Sequence, residues 1–387
     1  MSPSIHWDLF CRIVDNFGDA GVCWRLARQL AHEHGLAVTL WIDDVRTLAR
    51  IAPALAPDRD DQGASGVRVR ALTEAAAAAA KPADVVIEGF GCGLPEAYVA
   101  NMAAAARAPA WVVLEYLSAE PWIDASHGLP SPHPRHPLTR TFWFPGFTPR
   151  SGGLLREAGL LDRRDMATAQ ATAQATARAA LLRAAGIDAP ATAMLVNLFC
   201  YANPALPGLL NAWAEGDDPI VCLAPEGIAR SELDRFTGGA VPHPGQACVR
   251  GALTLAVLPL VDQDAFDERL WQCDLNFVRG EDSLVRAVWA GRPLVWQLYP
   301  QDEDAHLAKM DAFLTRYEAG LRESMRTAQR AFWYGWNDGN ADMVVAAWPD
   351  LRAALPALRR HGHAWADHLA AGTDLSTALV NYCENRL

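Results

Sequence analysis

The sequence predicts an α/β protein made of two Rossmann-like, doubly wound domains with a cleft between them. Three observations predict it: a length of 387 residues, two series of short apolar runs rich in β-branched and aromatic residues, and longer Ala/Leu/Arg segments of helical period between those runs. A chain this long exceeds what one hydrophobic core usually serves. Strand-like runs alternating with helix-like segments are the pattern of βα units laid around a parallel sheet.

The first series places strands at residues 7–14, 37–42, 67–72, 84–89 and 111–117, with a helix over 20–34 after the first of them. A second series follows at 193–199, 219–223, 253–260, 275–278 and 293–298. Between the two lies the tract MATAQATAQATARAA at 166–180, whose composition suits a solvated helix better than a core strand. These patterns divide the chain into a first domain over 1–165, a linker over 166–190 and a second domain over 191–359. A closing helical stretch carries Trp348, Leu351, Leu355 and Leu358, and its last part, about 360–387, is expected to pack back on the first domain.

Composition narrows the function. Hydrophobic residues make up 51% and charged residues 20%, the balance of a soluble globular chain. A formal net charge of -11 argues against a nucleic-acid partner, because such a surface repels phosphate backbones. The eight cysteines are scattered without a CxxC pair, so neither a zinc site nor a disulfide framework is signalled. No basic segment followed by a long apolar run opens the sequence, and no stretch nears 18 apolar residues, so no membrane segment and a cytoplasmic location are expected.

In open α/β sheets ligands bind beyond the carboxyl ends of the strands, so the residues just after strands carry the chemistry. Directly after the first predicted strand comes DNFGDAG: Asp15, Asn16, Phe17, Gly18, Asp19 and the residues that lead into the helix. Two carboxylates four residues apart can divide a task, one fixing a cationic group through charge-assisted hydrogen bonds and the other accepting a proton. The plainer reading is that Asp19 caps the helix and Asp15 closes a turn. Neither this motif nor GFGCG at residues 89–93 matches the dinucleotide fingerprint GxGxxG, and no GxxxxGK[ST] occurs.

The second constellation follows the predicted strand at 275–278: RGEDSLVRAVWAG, then RPLVWQLYP, then QDEDAH. A helix opening near Asp282 aims its free N–H groups and positive dipole end at an anion, a seat for a diphosphate without a metal, and Arg279 adds fixed positive charge. Glu281 is electrostatically wasteful beside a diphosphate unless it contacts sugar hydroxyls or an acceptor cation. The plainer reading is a capped helix start with Asp282 or Ser283 as the cap. The spacing of Gly280, Ser283, Ala287, Gly291, Pro293, Pro300 and Gln301 resembles the donor-binding half of GT-B glycosyltransferases.

Three segments together, DNFGDAGVCWRLARQLA, LWIDD and CDLNFVRGEDSLVRAVWAGRPLVWQLYPQDEDAHL, resemble the elongation factor P arginine rhamnosyltransferases, the EarP family, over nearly the whole chain. The resemblance implies a GT-B enzyme that uses dTDP-β-L-rhamnose, inverts the anomeric centre and modifies one arginine of elongation factor P. It implies no metal and no cofactor beyond the donor. It makes the first domain the acceptor-binding one and the second the donor-nucleotide one. Asp15, Asp19 and Glu281 match the family's functional carboxylates. Asp282 and Ser283 match the residues that hold the diphosphate, and Phe199, Tyr201 and Gln263 fall where the family places donor contacts. Asn16, Phe17, Gly18, Arg279, Gly280 and Tyr299 complete the expected donor set together with Leu260. That last position departs from the pattern, because members often carry Phe there to stack on the thymine.

Two rival functions are distinguishable: another GT-B enzyme with a different nucleotide sugar or acceptor, and a non-catalytic binder of elongation factor P. Three cleft acids fit the second poorly. The loop SHGLPSPHPRHP holds His127, His133 and His136 but, with its prolines and no nearby Cys, reads as an ordered loop instead of a metal site. Trp289, Trp296, Trp333 and Trp336 read as core or cleft wall, and Cys11 and Cys23 as packing residues.

Overall fold

The structure is a computed structural model that describes residues 5–14, 17–168, 170–299 and 305–387. Its contacts divide the chain into two compact units, Met1–Ala158 with Leu369–Leu387, and Gly159–His368.

Among the described residues the first unit holds eight strands: β1 (His6–Cys11), β2 (Ala37–Ile42), β3 (Asp61–Ala64), β4 (Val67–Ala71), β5 (Val85–Gly89), β6 (Ala110–Leu114), β7 (Pro130–Pro132) and β8 (Thr139–Trp143). They form one sheet in the order β3-β4-β2-β1-β5-β6-β8-β7. The six inner strands run parallel, and β3 and β7 close the two edges antiparallel. Strand alternation splits the side chains of β1 between two cores. Trp7, Leu9 and Cys11 join a cluster with Ala20, Cys23 and Leu26 of the helix Phe17–His34 and with Leu375, Leu379 and Cys383 of the helix Leu375–Glu384. Phe10 joins the opposite cluster with Trp41, Val86, Tyr98 and Met102, and Tyr98 donates a 2.5 Å hydrogen bond to the buried Asp8 carboxylate. Burial outweighs that bond and pushes the Asp8 carboxyl above its ordinary value.

The second unit holds β9 (Met194–Leu198), β10 (Ile220–Pro225), β11 (Gln246–Arg250), β12 (Leu253–Leu258), β13 (Leu275–Arg279) and β14 (Leu294–Gln297), in the order β11-β12-β10-β9-β13-β14. Only β11 is antiparallel. The four tryptophans Trp289, Trp296, Trp333 and Trp336 are all buried in this unit. The Ala/Thr/Gln tract belongs to it as well, through the helix Ala171–Ala184, whose Arg178 reaches both carboxylate oxygens of Asp274 at 2.9 and 3.0 Å. The long helix Ala341–Ala370 carries the chain back to the first unit, which it re-enters at Leu369.

Several elements differ from the sequence reading. The first strand stops at Cys11, where its ladder with β2 ends at Ile42, and the first helix begins three residues early, at Phe17. The edge strands β3 (DQGA), β7 (PSP) and β11 (QACVR) carry no apolar alternation; they are held by backbone pairing to one neighbour and face solvent. The histidine loop contains β7 and is structured by its own rings. The His127 Nδ1 accepts from the Phe144 N–H at 3.2 Å, and His133 stacks on His136 at 5.2 Å.

Candidate active site

In each sheet the strand order reverses direction at one place, leaving a crevice beyond the carboxyl ends of two neighbouring strands. In the first unit that place lies between β1 and β5, and in the second between β9 and β13. The described residues among those singled out from sequence follow the carboxyl ends of strands in these two sheets.

At the end of β1, Asp15 and Asn16 lie outside the described residues. Asp19 sits in the first turn of the helix Phe17–His34, not at its cap, and its Oδ2 accepts from the Val14 N–H at 2.8 Å. A third-position carboxylate reaching back to the chain before the helix satisfies a donor that would otherwise be orphaned and fixes the entry angle of the loop. Asp19 is 2% exposed, whereas Val14 is 83% exposed. Phe17 and Gly18 occupy the same first turn, with the Arg50 guanidinium 5.0 Å over the Phe17 ring. The loop is pinned from the other side by Asp43, which accepts from the Ile13 N–H at 3.0 Å, while its neighbour Asp44 caps the helix Val45–Ala49. Cys11 and Cys23 are fully buried beneath it. The adjacent Cys23 thiol, then burial, push Cys11 well above the usual thiol range, so Cys11 is no ready nucleophile.

Beside this loop, β5 ends in the GFGCG segment. Gly89 is obligatory, because a Cβ there would come within 2.8 Å of the Phe10 carbonyl oxygen. Phe90 has φ +56°, a left-handed conformation that costs a non-glycine residue about 1–3 kcal/mol. Its ring stacks on Tyr116 with centroids 4.6 Å apart. Glu88 accepts from Trp111 Nε1 at 3.1 Å and from the Gly93 N–H at 3.0 Å. Burial and the Glu88 charge push the half-buried Glu115 carboxyl above its ordinary value.

In the second unit, β13 ends at Arg279 and the helix Asp282–Ala290 follows after Gly280, which takes φ +56° in the turn. Glu281 is the N-cap residue but makes no side-chain cap bond, and neither Asp282 nor Ser283 is the cap. The first N–H groups of this helix therefore have no intrahelical partner and no side chain of the cap residue over them. The Ser283 hydroxyl donates to the Arg279 carbonyl and accepts from the Arg279 N–H at 3.0 Å, closing the turn on itself. Trp296 Nε1 donates to the Gly280 carbonyl at 2.8 Å.

The residues after β9 come to the same place. The Arg279 guanidinium lies 4.7 Å from the Phe199 ring centroid and 4.6 Å from that of Tyr201, and Nη1 donates to the Cys200 carbonyl at 3.3 Å. Tyr201 packs edge-on against Tyr299, which is 63% exposed. Gln263 Nε2 donates to Asp282 Oδ2 at 3.4 Å, and Leu260 lies half-buried in the loop after β12. A buried pair joins the helix Gln263–Gln272 to the helix Asp282–Ala290: Arg286 donates to both oxygens of Asp267, at 3.1 and 2.6 Å, with 1% and 3% of the two side chains exposed. Phe199, Tyr201, Leu260, Gln263, Arg279, Gly280, Glu281, Asp282, Ser283 and Tyr299 thus all lie at the strand ends, in the loops or in the first helical turns at the carboxyl edge of this second sheet.

Sequence reasoning missed several supports. Asp43 was visible only as part of LWIDD. Gln297, which accepts from the Tyr201 N–H at 3.0 Å, and Asn337, which donates to the Trp296 carbonyl at 2.9 Å, carried no signal except their place in and beyond LVWQ. GFGCG was noticed, but Phe90, Tyr116, Glu88 and Glu115 were not connected. Among the described residues, no group of three or more His, Cys, Asp or Glu is placed to hold a metal ion.

Two sheets with parallel centres, each with one switch point, give the α/β architecture of the GT-B glycosyltransferases. A UGT transferase from Siraitia grosvenorii solved with UDP shares the fold, with a TM-score of 0.51 at 12% identity over 99% of both chains. The family profile described as "Elongation-Factor P (EF-P) rhamnosyltransferase EarP" matches residues 7–384, and the chain belongs to that family. The protein-arginine rhamnosyltransferase of Pseudomonas putida is 48% identical over 381 residues, covering 98% of this chain and 99% of that protein. The same-named protein of Pseudomonas aeruginosa is 47% identical, covering 97% and 98%. A solved structure described as "Structural basis for EarP-mediated arginine glycosylation of translation elongation factor EF-P" superposes with a TM-score of 0.70 at 36% identity, covering 99% of both chains.

Proposed function

We propose that the protein is an inverting protein-arginine rhamnosyltransferase that moves L-rhamnose from dTDP-β-L-rhamnose to an arginine of elongation factor P in the cytoplasm. The observation that carries this reading is the helix start at Asp282, which the Glu281 side chain does not cap, beside Arg279, Phe199 and Tyr201, in a chain of the EarP family. A helix N-terminus with an adjacent guanidinium suits a diphosphate, and two aromatic rings suit a nucleoside.

Arginine is a poor nucleophile because its guanidinium stays protonated at neutral pH. In this reading Asp15 and Glu281 orient and polarise the acceptor guanidinium, and Asp19 takes its proton as the nitrogen attacks the anomeric carbon opposite the diphosphate. The C–N bond forms as the C–O bond to phosphate breaks, dTDP leaves with the electron pair, and the configuration inverts. The N–H groups of Asp282 and Ser283, with Arg279, stabilise the departing diphosphate. Preorganised donors of this kind are often worth about 3 to 4 kcal/mol each. No step is assigned to a metal ion. Glu281→Ala lowers turnover more than donor affinity in this reading.

Incubating elongation factor P with the enzyme and dTDP-rhamnose, followed by mass spectrometry of the peptides, tests it. One deoxyhexose gained on an arginine supports the reading. An unmodified factor, alongside sugar transfer to some other acceptor, contradicts it.

A further inference from the structure

Three arginines meet at the amino edge of the second sheet, the edge opposite the loops that carry Arg279 and Asp282, and one of them has no partner. Arg292 stands two residues before β14 and is 3% exposed. Neither Nη group of its guanidinium finds a hydrogen-bond acceptor among the described residues, and it joins no ion pair there. The carbonyl end of the helix Asp282–Ala290, just before it, would suit a cation. That end is served by Arg164 instead, which donates to the Trp289 carbonyl at 3.0 Å and pairs with Asp165 and Asp367.

Asp274 and Arg292 occupy matching positions ahead of β13 and β14, whose register pairs Asn276 with Leu294. Both Asp274 oxygens are already taken by Arg178, at 2.9 and 3.0 Å, and Oδ2 also accepts from the Leu195 N–H at 2.9 Å. The long helix Ala341–Ala370 passes against the Arg292 turn, so closely that a Cβ on Gly362 would stand 3.5 Å from the Arg292 carbonyl oxygen. One turn earlier on that helix, the exposed Arg359 donates to Gln174 at 3.4 Å, and Gln174 lies one turn before Arg178 on the helix Ala171–Ala184. Burial, then the Arg359 charge, hold the Arg292 guanidinium below its ordinary value, at about 10, which leaves it charged at neutral pH.

A buried guanidinium without an acceptor costs folding free energy, and like charges beside it add to the cost. Three guanidiniums against the one Asp274 carboxylate leave two positive charges over, in a chain whose formal net charge is -11. A phosphate dianion matches that excess, and it offers more oxygens than a carboxylate to the forked N–H groups of several guanidiniums.

We propose that Arg178, Arg292 and Arg359 form a phosphate-binding site at the amino edge of the second sheet, which takes inorganic phosphate or the phosphate group of a monoester. Arg292 makes its floor, Arg178 is oriented at one side by Asp274, and the exposed Arg359 turns in from solvent to close over the anion.

Thermal melts of the full chain test it, in chloride and in millimolar inorganic phosphate at equal ionic strength and neutral pH. The wild type melts about 3 °C higher in phosphate. Arg359→Ala, at an exposed position, keeps the wild-type melting temperature in chloride and loses that rise. Arg292→Met, which removes the unpartnered charge and keeps an unbranched side chain, loses it as well. Glucose 6-phosphate in place of inorganic phosphate separates the two sources, and the larger rise names the ligand. No rise in the wild type with either anion overturns the inference. A rise that survives Arg359→Ala also overturns it, because the anion would then sit elsewhere, as at the helix start at Asp282.

Discussion

The two units use one topology to opposite electrostatic ends. Each has a parallel-centred sheet whose strand order reverses, at β1/β5 in the first and β9/β13 in the second, and each places a helix directly after the strand at that reversal. In the first unit the first turn of the helix carries Asp19, whose carboxylate is turned inward onto the Val14 N–H, with Glu88 in β5 and Glu115 just after β6. In the second the strand ends in Arg279, and the helix opens with its N–H groups uncapped by any side chain of the N-cap residue. The fold supplies the crevice; the sign of the residues at the strand ends decides whether it favours a cation or an anion.

The comparison is most sharply broken at Asp19. Asp19→Asn keeps an oxygen to accept from the Val14 N–H, so the loop and the melting temperature stay as they are. The transfer rate falls about a thousandfold, the scale of a lost general base. Single-turnover measurements with saturating donor check this, and a rate within tenfold of wild type would remove Asp19 from the chemistry.

A smaller effect separates rigidity from charge in the second unit. Asp267→Ala strands the buried Arg286 guanidinium and lowers unfolding stability by about 3 kcal/mol, read by urea denaturation. An unchanged midpoint would mean that the helix Asp282–Ala290 is anchored by something other than this pair.

The smallest effect concerns Glu115. Its folded carboxyl titrates above its ordinary value of 4.5, because burial and Glu88 disfavour the charge. The stability it contributes is therefore present below that ordinary value and lost as pH rises through the raised folded one. Glu115→Gln cannot lose it, so the variant gains a modest advantage in melting temperature that grows from pH 4.5 toward 7. Parallel melting curves of the two proteins across that range would show that Glu115 bears no such strain.

The central strands and the second constellation were legible in the sequence because they follow simple rules. Buried parallel strands read as apolar runs, and a helix that starts beside a glycine and an arginine after such a run reads as an anion seat. The edges were not, since β3, β7 and β11 owe their existence to one neighbour's backbone and leave no periodic trace. Asp19 as a third-position residue was also hidden, because the helix start is set by contacts of the loop and not by composition. The Phe90–Tyr116 corner was invisible for a different reason: a non-glycine residue at positive φ has no sequence signature, and alternation alone sends its ring to the wrong face.

The division of labour between an acceptor unit and a donor unit is tested most directly by calorimetric titration of dTDP-rhamnose into two variants. The account predicts that Asp19→Asn binds the donor as the wild type does, while Ser283→Ala, which loosens the turn at Arg279, binds it about tenfold more weakly. Donor affinity lost in Asp19→Asn and kept in Ser283→Ala would contradict it.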